Sequence, residues 1–391
     1  MIESVKNPGQ AKFSPAKALG ARLVQTLQAD PDFYLFSPDE TTSNKLDQVY
    51  DVSARAWAMP TRPWDLPESE DGHIVELLSE NTLFAVMLGH LLAGGSAMMT
   101  SYESFFTIIT SQLLQHLKFL QQAQAVSWRK PIPAVNLLST STCWRQDHNG
   151  FTHQSPALIS TLLSRPGRYV NCLFPVDDVA ASAAYDFMLQ AKDVVNLTTF
   201  NKTEEPRWID SHHAKFQYDN GGASIFDFCS DPNPDFVFTA AGDIVSREAI
   251  AAISLLKADI PGIRLRFVGI TALTYNAIGT HLCQLSHDTF TDYFTSDKPI
   301  IANFHGYPET LKHILGRYTN EYRITPHGFI EQGTTTTPFE MLSLNHASRY
   351  HLAIDVAKML AREDLVKKYQ TLLRENSRHA TEYGLDQLDN L

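Results

Sequence analysis

The sequence predicts an α/β protein of two domains, each a mainly parallel sheet flanked by helices. Three observations carry that expectation. The chain has 391 residues, more than one hydrophobic core usually fills, since single cores stop growing near ~250–300 residues. Short runs rich in Val, Ile and Phe alternate with longer helical patterns, the mark of βαβ units. The alternation breaks once, across residues 201–234, in a stretch rich in Asp, Asn, Gly and Pro with paired histidines (His212, His213) that reads as an interdomain connection.

In the first series, strands are expected at 73–78, 134–138, 169–174 and 194–200, where β-branched and apolar residues cluster in runs too short for a helix. Helices are expected between them at 81–92, 104–122, 156–163 and 179–189. The second series gives strands at 236–240, 265–270 and 299–304, helices at 247–257 and 309–315, and a last helical region over 338–374. Domains are therefore expected at 1–210 and 230–391, with a polar tail from 375 onward that frays or caps the end.

Residues 82–99 carry no formal charge and approach the ~18–20 residues that span a bilayer. His90, Gly94, Gly95 and Ser96 dilute the run, and no Lys or Arg cluster flanks it to orient an inserted helix. A helix buried on a sheet explains the composition better, and no membrane role is expected.

The formal net charge of −11, with no basic run, excludes the phosphate-neutralising surface that nucleic acid demands. Cys143, Cys172, Cys229 and Cys283 are scattered with no C-x-x-C pair, against both a zinc site and a disulfide framework. With no apolar core after Met1 of the kind an export signal needs, a cytoplasmic location is expected.

The densest polar cluster spans residues 144–154 (WRQDHNGFTHQ), just past the expected strand 134–138. Open α/β sheets place ligands at the carboxyl ends of their strands. Here two imidazoles, His148 and His153, sit with Asn149, an Asp, an Arg and a turn-permitting Gly. Mutual satisfaction in a polar loop explains any one of them; the whole cluster points to proton transfer and phosphate binding. Glu80 opens the uncharged helix, where it either serves the helix dipole or is a buried acid of raised proton affinity. Tyr102 and Phe105 offer aromatic faces or plain core, and Lys202 closes a strand as a phosphate ligand or a solvated lysine. Residues 331–339 (EQGTTTTPF) form a glycine and hydroxyl-rich turn opening a helix at Pro338, without a Walker ending.

Together these segments resemble phosphoketolases over residues 35–354. The shared landmarks are Ser37-Pro-Asp-Glu-Thr-Thr-Ser-Asn44, Leu78-Ser-Glu80, Ser101-Tyr-Glu-Ser-Phe105, the 144–154 cluster, Ala241-Gly-Asp243, Phe304-His-Gly-Tyr-Pro308 and the 331–339 turn. The resemblance implies two transketolase-like domains, the first binding the pyrimidine of thiamine diphosphate. It implies that Glu80 hydrogen-bonds that pyrimidine, that Phe105 stacks on it, and that His153 and His148 act in acid–base chemistry. Ser43, Lys45, Tyr102, His148, Asn149 and Lys202 match positions that hold the sugar phosphate or inorganic phosphate.

Departures accompany the matches. Asn81 stands where the family usually has His, Lys45 where it has Arg, and Ala93-Gly94-Gly95-Ser96-Ala97 where it reads Thr-Gly-Arg-His-Gly. Gln124 falls about where another phosphate-facing Arg is expected, and Lys is a poor substitute for a bidentate guanidinium. Family members also carry a Gly-Asp-Gly motif that binds magnesium and the diphosphate; here Gly242-Asp243 is followed by Ile244.

The resemblance thus implies one subunit of a split, oligomeric phosphoketolase, homo- or hetero-oligomeric. Its thiamine diphosphate would be shared with a diphosphate-binding partner that holds the Mg2+, this chain binding no metal itself. The alternatives are a non-catalytic, phosphoketolase-like assembly or regulatory protein, or transketolase-type transfer to an aldose.

Overall fold

Strands that read as unbroken apolar runs are buried on both faces, which is how parallel sheets are covered by their crossover helices. In the computed structural model, which describes residue 5, residues 7–65 and residues 67–387, six parallel strands form the body of the first sheet. They are β1 (Phe33–Ser37), β2 (Ile74–Glu76), β3 (Ser96–Tyr102), β4 (Val135–Thr140), β5 (Val170–Leu173) and β6 (Val195–Thr199). Their order is β5-β6-β4-β3-β1-β2, all parallel, with Leu137 opposite Leu197 and Leu35 opposite Ile74. Beyond β2 the sheet is extended by the short strands Arg55–Ala56 and Glu68–Ser69.

The second sheet is built from β7 (Phe236–Ala241), β8 (Leu265–Ile270), β10 (Ile300–Phe304) and β11 (Ile324–His327), parallel in the order β8-β7-β10-β11. The strand Ala223–Ile225 adds antiparallel to β8. Between β8 and β10 the chain leaves this sheet: β9 (Ala272–Thr274) pairs antiparallel with β5 of the first sheet, and Ala277–Ile278 pairs with β9. The connection expected over 201–234 therefore contains structure, the helix Ser211–Asp219 and the strand Ala223–Ile225.

The uncharged run 82–99 is not one helix. The helix Glu80–Leu92 stops, Gly94 turns the chain at φ 101°, and β3 begins at Ser96. Among the described residues no helix is long and apolar enough to cross a membrane. The expected helix 104–122 opens as a 3-10 turn, Phe105–Ile109, before Thr110–Ala123. The expected region 338–374 is three helices, Pro338–Leu344, Arg349–Met359 and Glu363–Tyr383, the last running into the tail. Beyond it, Asp386 accepts the backbone N–H of Phe339 at 2.8 Å and the hydroxyl of Thr337, so the tail caps the helix at Pro338.

Apolar side chains from both sheets share one buried cluster, including Leu137, Leu197, Val237 and Ala302. Each such side chain contributes roughly 1.5–3 kcal/mol when fully buried. Polar ties reinforce the contact between the sheets. Glu205 accepts from Arg145 at 2.8 Å and from Arg247 at 2.9 Å. Within the second domain, Arg349 grips Glu248 with two prongs at 2.7 and 2.9 Å. Burial alone would raise the Glu248 carboxyl, but Arg349 and then Arg247 outweigh it and hold it at about 2.

Candidate active site

Parallel strands present their carboxyl ends along one edge, and the residues expected to bind cofactor, sugar or phosphate leave the first sheet at that edge. Ser43 and Lys45 follow β1, Glu80 follows β2, Tyr102 and Phe105 follow β3, His148, Asn149 and His153 follow β4, and Lys202 follows β6. This is the rim where open α/β sheets bind ligands.

Four of these side chains meet. The rings of Tyr102 and Phe105 lie 5.8 Å apart and 8° from parallel. The His153 ring stands edge-on to Phe105 at 5.0 Å and tilted to Tyr102 at 6.2 Å. Lys202 Nζ lies 4.8 Å from the centre of the Tyr102 ring, a cation–π distance, and its backbone carbonyl accepts from Ser14 Oγ. Aromatic faces, an imidazole and an ammonium thus line one small space.

The loop carrying His153 is pinned from both domains. Gln154 Nε2 donates to the carbonyls of Gln146 at 2.8 Å and of Thr334 at 3.0 Å, and Thr336 N–H donates to Asp147 O at 2.9 Å. The glycine and hydroxyl-rich turn is therefore more than punctuation, because it clasps the histidine loop. Asn149 Nδ2 donates to Gln146 Oε1 at 2.7 Å. His148 stands in solvent, its side chain 67% exposed, 3.9 Å from Asp147. Ser43 and Lys45 are exposed; Ser43 Oγ donates to Glu40 O, and Lys45 adopts a left-handed φ of 63°. Of the expected phosphate ligands, Ser43, Lys45, His148 and Asn149 are exposed, whereas Tyr102 and Lys202 belong to the half-buried aromatic group.

Glu80 is partly exposed at the first position of its helix, where Ser79 is the N-cap accepting from Thr82 N–H. Of the two readings offered for it, the structure shows the helix-opening position, and Glu40, half-buried like Glu80, is the acid whose proton is held. Burial pushes the Glu40 carboxyl up to about 7; the Tyr102 N–H, donating to Glu40 Oε2 at 2.9 Å, opposes the rise, and the nearby Glu80 charge adds to it. Two carboxylates thus lie close enough to repel beside the aromatic group, and one of them, Glu40, keeps its proton up to about pH 7.

Sequence reasoning gave no role to Glu40, although it lies within the 37–44 landmark, nor to Glu103 and His305. The latter two form a buried ion pair at 2.8 Å between the sheets. With Cys143 they are the one group of metal-ligand type among the described residues. Its donors are already engaged: Glu103 accepts from His305 Nε2 and from the Cys143 N–H. Burial, then Glu103, pushes the Cys143 thiol well above its ordinary value, so it stays protonated. The set does not suit Mg2+, which takes oxygen ligands in an octahedron.

Three departures noted in the sequence lie away from this rim. Gly95 precedes and Ser96 opens β3, whose seven residues put them ~20 Å from Tyr102 at about 3.3 Å per residue. Gln124 closes the helix Thr110–Ala123, which runs back to the opposite edge of the sheet; there it accepts from Tyr169 OH, away from any phosphate ligand.

The architecture is that of transketolases. Transketolase from Pichia stipitis, solved with sedoheptulose 7-phosphate, superposes with a TM-score of 0.71 at 16% identity, covering 92% of this chain and 47% of that one. A chain described as a split gene transketolase, an inactive β4 tetramer, superposes at 0.61 with 12% identity over 90% of this chain and 99% of that one. Within that fold the chain belongs to the phosphoketolase family. The model of D-xylulose 5-phosphate/D-fructose 6-phosphate phosphoketolase matches residues 17–191, and that of its C-terminal domain matches residues 202–390. A probable phosphoketolase of Rhodopseudomonas palustris is 35% identical over 390 residues, 97% of this chain and 50% of its own length. One from Nitrosospira multiformis is 36% identical over 364 residues, 91% of this chain and 45% of its own. The chain spans about half the length of the curated relatives it matches.

Proposed function

We propose that this chain supplies the pyrimidine-side half of a thiamine-diphosphate phosphoketolase site that cleaves xylulose 5-phosphate or fructose 6-phosphate with inorganic phosphate to acetyl phosphate. The observation that carries the reading is the convergence of Glu80, Tyr102, Phe105, His153 and Lys202 on one sheet edge, with Glu40 beside them. The residues present suit an aminopyrimidine: a flat aromatic face and two neighbouring carboxylates. Nothing comparable among the described residues suits a diphosphate with magnesium, which this reading assigns to a separate diphosphate-binding chain.

When bound, the cofactor supplies the electron sink for carbon–carbon cleavage. The chain's own residues place and protonate. Glu80 exchanges a proton with a ring nitrogen, with Glu40 beside it. Phe105 stacks on the ring, and His153, edge-on to Phe105, moves a proton at the sugar. Lys202, Tyr102, Ser43, Lys45, His148 and Asn149 hold phosphate oxygens, His148 also able to move a proton on the open rim. Around the Glu80 helix, Leu77, Leu78, Val86, Leu92 and Ile108 are exposed apolar side chains, which supports a surface that meets another chain in an oligomer.

A second, non-catalytic reading is favoured by Asn81 and Lys45, which do lie at the rim. The separating experiment combines this chain with a diphosphate-binding half and follows acetyl phosphate. Turnover is expected only from the pair, and Glu80→Gln should lower it at least ~10²-fold. Normal turnover or magnesium-dependent cofactor binding by the chain alone would overturn the division. An unaffected Glu80→Gln rate would support the non-catalytic reading, and a longer ketose as product would indicate transketolase-type transfer.

A further inference from the structure

Beside this pocket one buried polar contact joins the two sheets. Glu103 sits between Tyr102 and Phe105, its own N–H donating to Thr140 O at 2.9 Å. Its Oε1 accepts from His305 Nε2 at 2.8 Å, and its Oε2 accepts the N–H of Cys143 at 2.7 Å. Cys143 opens the turn that leads into the histidine loop. His305 follows β10 of the second sheet, and its carbonyl accepts the Trp144 indole N–H at 2.9 Å. Both partners are almost fully buried, with side-chain exposures of 1% and 4%.

So dry an ion pair is a poor source of stability, because taking both charges out of water roughly cancels their attraction, and apolar replacements often do as well. What the contact does supply is a fixed distance. One carboxylate is held at once by the strand end that carries the aromatic wall, by the turn that starts the histidine loop and by the second domain. Gly242 packs closely against the same histidine: a Cβ there would fall 2.8 Å from His305 Cβ.

We propose that Glu103 and His305 are a positioning couple through which the second domain sets the spacing between the Tyr102–Phe105 wall and the loop bearing His148, Asn149 and His153. Neither residue touches substrate. The purpose of that spacing rests on the functional reading above; the spacing itself does not.

Hydrogen exchange on the full chain tests it without any turnover. In a Glu103→Leu/His305→Leu double variant, which folds without an orphaned charge, exchange at Cys143 and across 146–154 should rise at least tenfold, while β3, β4 and the helix Glu363–Tyr383 keep their protection. Glu103→Gln retains an acceptor for Cys143 N–H and a donor for neutral His305, and should restore the protected loop. A loop as protected as wild type in the double variant, or as exposed in Glu103→Gln, overturns the proposal. With a diphosphate-binding half present, the double variant should lose kcat/KM for phosphate and Glu103→Gln should recover it. Absent wild-type turnover would count against the functional reading alone, leaving the exchange result to decide this one.

Discussion

Replacing Glu40 by glutamine should stabilise the chain at pH 8 and leave it unchanged at pH 4. Burial pushes this carboxyl from 4.5 up to about 7, with the Tyr102 N–H opposing and the Glu80 charge assisting. The folded chain therefore keeps the proton where the unfolded chain has released it. The stability tied to this group is complete below pH ~4.5 and is lost as pH rises through about 7. A rise of about 2.5 pH units at ~1.4 kcal/mol each gives an upper bound of about 3.5 kcal/mol, which local relaxation and residual water would reduce to about 1–3. Glutamine copies the protonated shape and keeps an oxygen for the Tyr102 N–H, so it removes the penalty and retains the bond. Urea unfolding of both proteins between pH 4 and 8.5 measures the difference directly. It should grow from zero toward 1–3 kcal/mol as pH rises. A flat difference, or a glutamine variant less stable at pH 8, refutes the assignment of Glu40 as the proton-holding partner of Glu80.

Glu248→Ala leaves Arg349 buried without its carboxylate and should cost roughly 3–5 kcal/mol, read as a lower urea midpoint. Gly242→Ala puts a side chain at φ 127° with its Cβ against His305, and should lower stability by about 1–3 kcal/mol in thermal unfolding. Asp386→Ala orphans the Phe339 N–H and the Thr337 hydroxyl, at about 1–2 kcal/mol. It should also speed hydrogen exchange across 331–337, with wild-type protection in β4; unchanged exchange there would show that the tail does not hold the clasp.

The alternation of short apolar runs with helical patterns located β2, β4, β5, β6, β7, β8 and β10 to within a few residues, because buried parallel strands have a composition that little else shares. It missed β1, β9 and β11, and it failed at β3, where Ser96–Tyr102 follows an equally apolar helix and only the Gly94–Gly95 turn divides them. A central strand buried on both faces has no alternation to betray its period. The Tyr102, Phe105, His153 and Lys202 group was readable as a set of residue types at strand ends. What could not be read was which acid holds its proton. Glu40 and Glu80 look alike in sequence, and only the packing of the loop after β1 decides between them. Glu103 and His305 are farther out of reach still, since no local pattern joins residues 202 positions apart.

The excursion of β9 into the first sheet bears on how the chain is made. The β5 flank of that sheet stays an unpaired ladder until residues 272–278 have been synthesised, well after most of the first domain exists. A nascent or truncated chain ending before them would carry a raw strand edge, prone to borrow its missing neighbour from another molecule. Dissecting the protein at the connection near residue 210 should therefore yield an amino-terminal piece that self-associates, and adding back a peptide spanning 270–280 should quiet it.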